Sequence, residues 1–127
     1  MTTSAWARDR LGPLALVGAG GFAGAGLRHA VAVGLPATFP WGTLVANVVG
    51  AFVLGILLYE AHLAGLLSAE VRLLVGTGFC SSLTTYSTFA LETSQLAPAA
   101  AAANVGANYA LGFGAILLGQ VVARWLS

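Results

Sequence analysis

Uncharged apolar stretches recur four times along the chain, each close to the ~20 residues that a helix needs to cross the hydrocarbon core of a bilayer. The pattern predicts spans over about 11–33, 41–61, 72–93 and 98–124. The first meets its charge at Arg28, with His29 beside it. The second carries Trp41 and Tyr59 near its ends, where interfacial aromatics belong, and His62 follows it. Arg72 and Glu92 bound the third, Pro98 and Arg124 the fourth. The connections are too short to house a soluble domain, so the expectation is one all-α domain over residues 1–127, an integral membrane four-helix unit.

Polar positions inside these stretches are few and grouped. Ser81, Ser82, Thr84, Thr85, Ser87 and Thr88 crowd the middle of the third span. One or two hydroxyls can bond back to their own helix, but a cluster at mid-depth points to backbone that leaves the helix and lines a polar cavity. A broken third helix is therefore expected; a straight polar-faced helix at a subunit interface is the alternative. On the second span, Thr43, Asn47 and Gly50 share one face at helical spacing. On the fourth, Asn104, Asn108, Gly112, Ala115 and Gly119 form another small-and-polar stripe. Gly20 and Gly24 make a GxxxG pair, and Ala46 and Gly50 a looser one, as expected where helices approach closely in lipid.

Composition sharpens this picture. The chain is 58% hydrophobic and only 7% charged, against about 25% charged in an ordinary soluble domain. A net charge of +1 gives no electrostatic case for nucleic acid. The single cysteine, Cys80, excludes an internal disulfide and a cysteine-based zinc site, and no Ser-His-Asp or Cys-His set presents itself, so no enzyme is expected. Met1–Arg10 lacks a signal-peptide cleavage pattern, so the first apolar segment is expected to stay. Four spans put both termini on one side with Arg8, Arg10, Arg72 and Arg124, leaving Arg28 alone on the other. The positive-inside rule then favours cytoplasmic termini unless Arg28 is held inside for structural reasons. The acids Asp9, Glu60, Glu70 and Glu92 fall away from the span centres, where a proton-coupled carrier needs one. Hydroxyl and amide donors with aromatic ring edges suit a small anion better.

The motifs resemble the CrcB/Fluc fluoride channel family over most of the chain. The first span carries GAGGFAGAGLRH, ending at Arg28; the second carries WGTLVANVVGAFVLG, with its polar residue at Asn47; the third carries GFCSSLTTYSTF. The resemblance implies a passive fluoride exporter in the cell membrane, built as an antiparallel dimer with two fluoride pathways. It implies a sodium ion at the dimer centre, held by the backbone carbonyls of Ser81 and Thr84. The ring edges of Tyr86 and Phe89 and the Asn47 amide would line the pathway, with Thr43, Ser87 and Thr88 supplying hydroxyls along or beside it. The fourth span matches through Asn104 and Asn108, and Asn108 is counted with the pathway. Arg28 is expected to be structural.

Two features depart from the family pattern: Tyr86 stands where it has phenylalanine, and Ser81 and Ser82 replace a glycine pair. An antiparallel homodimer wants little topological preference, so the arginine bias leaves a heterodimer with a related chain as the alternative assembly. The competing functions are a small proton-coupled multidrug exporter and a non-transporting assembly subunit.

Overall fold

A computed structural model describes residues 3–60 and 65–126, so Ala61 at the end of the second predicted span, and His62, lie outside the described residues. Among the described residues there is no strand. Three helices are long and apolar enough to cross a membrane: α1 (Thr3–Gly34), α2 (Trp41–Tyr59) and α6 (Pro98–Leu126). At 1.5 Å per residue they measure about 48, 28 and 44 Å, beside a hydrocarbon core of about 30 Å. The chain is thus a multi-pass membrane protein.

The region between α2 and α6 is assembled from shorter pieces. Ser68 caps α3 (Ala69–Val71) by accepting from the Val71 amide at 3.2 Å, with Glu70 placed favourably in the first turn. The helix widens into a π-helical stretch over Arg72–Cys80 and tightens again in α4 (Ser81–Leu83). Thr84 is extended, at φ −77° and ψ 152°. Helix resumes only at α5 (Ser87–Ser94). α6 then starts on Pro98, whose missing N–H costs nothing in a first turn, and carries Arg124 in its last.

α1 starts earlier than the hydropathy pattern indicates, at Thr3 rather than near Leu11. Thr3–Arg10 is too polar for the bilayer core but includes Ala5, Trp6 and Ala7, which sustain a helix, and the Arg10 guanidinium lies 5.5 Å from the Trp6 ring centroid. Pro13 is accommodated within the helix.

Packing joins the elements in two pairs, α2 along α6 and α1 along the 69–83 run. Both are backbone-on-backbone contacts through glycine. Gly20 and Gly24 of the predicted GxxxG pair lie against the backbone of Leu74, Phe79 and Leu83, and Gly78 returns the contact against Val17 and Gly20. Gly55 meets the Ile116 backbone, and Gly119 meets those of Phe52 and Ile56. The GxxxG face is therefore used inside the subunit. Large apolar side chains such as Phe22, Phe113 and Trp125 remain exposed, at 85%, 65% and 83%, as lipid or a second chain requires.

Because a Cβ on Gly24 would overlap the Phe79 carbonyl, Gly24→Val should destabilise the protein by about 1–3 kcal/mol or more. Gly26 faces open space inside α1, so Gly26→Ala should hold or raise the thermal midpoint in detergent. Equal midpoints for the two variants would contradict this packing.

Candidate functional site

The non-helical segment at Thr84–Tyr86 has to place its backbone polar groups somewhere, and one side chain receives both groups of its central residue. Thr84 closes α4, its N–H and hydroxyl both donating to the Cys80 carbonyl, at 3.0 and 2.8 Å. The next amide, Thr85 N–H, would continue the ladder onto the Ser81 carbonyl. It donates instead to Asn47 Oδ1 at 2.8 Å. Asn47 Nδ2 returns a bond to the Thr85 carbonyl at 3.1 Å, so one side-chain amide satisfies both backbone groups of Thr85. The Thr88 amide, which would reach back to the Thr84 carbonyl, donates to Thr85 Oγ1 at 3.2 Å. The ladder therefore skips the carbonyls of Ser81 and Thr84. Arg28 Nε donates to the Ser82 carbonyl between them at 3.0 Å, which ties α1 to the break and gives this half-buried arginine a structural partner.

Asn47 has a second partner. Its Nδ2 also donates to Asn108 Oδ1 at 3.0 Å, which commits both amide hydrogens. Asn108 Nδ2 turns away from Asn47 to the carbonyl and Oδ1 of Asn104, at 2.9 and 3.0 Å.

Beside the break lies a cavity of about 470 Å³, lined among others by Asn47, Ser81, Thr84, Thr85 and Asn108. Its other wall is aromatic. Tyr86 and Phe89 have ring centroids 5.7 Å apart, Phe89 meets Tyr109 nearly edge-on at 6.4 Å and 80°, and Phe113 extends the row 6.3 Å beyond Tyr109. Phe89 is buried at 7% exposure, whereas Tyr86 projects at 72%. Hydroxyls, one amide cluster and aromatic rings, whose edges are electropositive, thus line one space.

Thr43 and Thr88 line a second cavity of about 480 Å³, together with Glu92. There the Thr43 hydroxyl donates to a Glu92 carboxylate oxygen. The α2 face read as one stripe thus serves two cavities, Thr43 at one and Asn47 at the other. Ser87 is exposed, with its hydroxyl 3.4 Å from that of Thr85. Ser81 lines the first cavity, its hydroxyl directed to the Gly76 carbonyl at 3.5 Å.

Four residues that matter to this geometry were not singled out as site residues. Thr85 was one of a hydroxyl cluster, yet its backbone is the group Asn47 clasps. Glu92 was read only as a span boundary. Thr93, half-buried on α5, bonds Asn104 and has no sequence neighbour to announce it. Tyr109 lies four residues before Phe113, a spacing that places both on one face of α6.

The helices and this cavity define a multi-pass membrane protein with an open, part aromatic and part polar cavity beside its non-helical segment. Residues 15–120 match the family model described as CrcB-like protein, Camphor Resistance (CrcB), and the chain belongs to that family. It is 59% identical over 114 residues to fluoride-specific ion channel FluC 1 of Natronomonas pharaonis, covering 90% of this chain and 96% of the relative. It is 51% identical over 111 residues to fluoride-specific ion channel FluC 1 of Haloarcula marismortui, covering 87% and 85%. To fluoride-specific ion channel FluC 2 of Halobacterium salinarum it is 50% identical over 110 residues, covering 86% and 84%.

Removing the Asn47 amide strands both backbone groups of Thr85. Asn47→Ala should lower the unfolding free energy by about 2–6 kcal/mol, at about 1–3 kcal/mol for each unsatisfied buried group. Thermal unfolding in detergent measures this, and a wild-type midpoint would show that Thr85 finds other partners.

Proposed function

We propose that this chain is one subunit of a fluoride-selective channel that lets cytoplasmic fluoride leave passively across the cell membrane and so relieves fluoride toxicity. The observation that carries the reading is the cavity in which the Tyr86 and Phe89 rings face hydroxyls and the Asn47 amide at the helix break. The high identity to proteins named fluoride-specific ion channels supports it.

Fluoride holds its water tightly, so a pore must offer close, directed donors in exchange. The hydroxyls of Ser81 and Thr84 are directed to the Gly76 and Cys80 carbonyls, so the donors left at the cavity are the hydroxyls of Thr85 and of Ser87 beside it, and the ring edges need no proton transfer to attract an anion. A fluoride that reaches Asn47 competes with Asn108 Oδ1 for one amide hydrogen, while the bond to Thr85 keeps the amide oriented. Thr43 and Thr88 contribute at the neighbouring cavity. The third predicted span acts as one broken crossing made of the 69–83 run and α5, giving four spans in all.

The exposed Tyr86, Tyr109 and Phe113 rings fit an assembly in which a second chain closes the cavity. We assign that assembly as an antiparallel dimer. A homodimer is the simpler form. The arginine bias, with the numbered names FluC 1 and FluC 2 among the relatives, fits a heterodimer of two related chains. A central sodium ion matches the chemistry of the break: the carbonyls of Ser81 and Thr84 are skipped by the helical ladder, and hard oxygen donors suit an alkali cation. When bound, such an ion would neutralise those dipoles and hold the two breaks together.

Fluoride efflux from liposomes containing the purified chain, against a chloride control, tests the function. Rapid fluoride-selective release supports it; silence both alone and with a related partner chain refutes it. Phe89→Ile removes a ring edge and should cut fluoride flux at least about tenfold, or about 1.4 kcal/mol, while the dimer still assembles; wild-type flux would remove Phe89 from the pathway. Exhaustive exchange of sodium for a large organic cation should abolish flux or dissociate the dimer, and intact, conducting dimers would dismiss the ion.

A further inference from the structure

We propose that Asn104 and Thr93 are positioning residues that hold Phe89 and Asn47 at a fixed separation across the cavity. The inference rests on the channel reading above and extends it to two residues outside the pathway, since neither lines either cavity.

Asn104 is 1% exposed, and each polar atom of its side chain is used. Its Nδ2 donates to Thr93 Oγ1 at 2.8 Å, and Thr93 Oγ1 in turn donates to the Phe89 carbonyl at 2.6 Å. On its other side, Asn104 accepts from Asn108 Nδ2, whose own Oδ1 accepts from Asn47. Asn47, at the head of the series, holds Thr85. A continuous hydrogen-bonded chain therefore runs from the break to the Phe89 backbone, through α2, α6 and α5. Every link donates in the same sense, so each amide fixes the orientation of the next.

α5 depends on this chain more than the other helices do. It has eight residues, too few for independent stability, and apart from the Thr43–Glu92 bond to α2 it makes little other contact with the long helices. The bond from Asn104 through Thr93, with the Phe89–Tyr109 ring contact, sets where α5 sits against α6. A polar residue serving helix association alone would need only one bond across the interface. Here both ends of the series stop on groups at the cavity.

The test is unitary fluoride current in planar bilayers, which counts conduction per open channel and does not depend on how much protein folds. Thr93→Val keeps the shape but loses both bonds of the hydroxyl, and should lower the unitary current at least about tenfold, since small misplacements of a positioned group cost that much or more. Thr93→Ser keeps the hydroxyl and should stay within about twofold of wild type. In a Phe89→Ile background, Thr93→Val should add no further loss, because its effect passes through Phe89. If Thr93→Val does not assemble, Asn104→Ser, which stays polar but is too short to reach Thr93, carries the same expectation. Wild-type unitary current in Thr93→Val, or in Asn104→Ser where that variant is used, overturns the proposal. Equal losses in Thr93→Ser and Thr93→Val also overturn it. Absence of fluoride current in the wild type would overturn the channel reading itself, and this proposal with it.

Discussion

Backbone that leaves a helix inside a membrane has no water to receive its hydrogen bonds, so every such group needs a protein partner. Asn47 meets that requirement at Thr85, accepting from its N–H and donating to its carbonyl. The rest of the site follows from this pairing. With Thr85 held by α2, the helical ladder cannot continue, Thr84 stays extended, and α5 begins afresh on the far side with Thr85 Oγ1 satisfying the Thr88 amide. The carbonyls turned out of the ladder, the cavity beside them and the placement of Phe89 are consequences of one side-chain amide substituting for a turn of helix.

Glycine provides the counterpart. The break is useful only if its two arms are held in place, and the arm before it lies on α1 with almost nothing between the backbones. Arg28 adds a directed bond from α1 to the Ser82 carbonyl. The arm after it, α5, has no such glycine seam and is tied through side-chain hydrogen bonds instead. The two halves of the region are thus fixed by different physics, close packing on one side and polar linkage on the other.

Much of this was legible in the residues. Apolar stretches of membrane length located the long helices, because lipid permits few other sequences there. The hydroxyl cluster lies across the non-helical residues Thr84–Tyr86, in the region where a departure from helix was expected. Asn47 and Asn108 read as polar faces that had to meet something, and they meet each other. What stayed hidden has physical causes. The π-helical widening over Arg72–Cys80, which packs against α1, has no local propensity to announce it. The α1 extension to Thr3 is helical without being apolar, so hydropathy passes over it. Thr93 and Asn104 are eleven positions apart on different helices, and only the folded chain shows that they share a bond. Glu92 looked like a boundary marker because charge at a span end is ordinary; its bond to Thr43 depends on how α5 faces α2.

The seam between α1 and the 69–83 run has a mechanical side. Where backbone lies on backbone, there are no rotamers to rearrange and no soft side-chain layer to absorb a displacement. Gly20, Gly24 and Gly78 make these two elements behave as a stiff rail. Within three residues of its end, at Thr85, the chain passes from that close backbone packing to the grip of a single amide on α2.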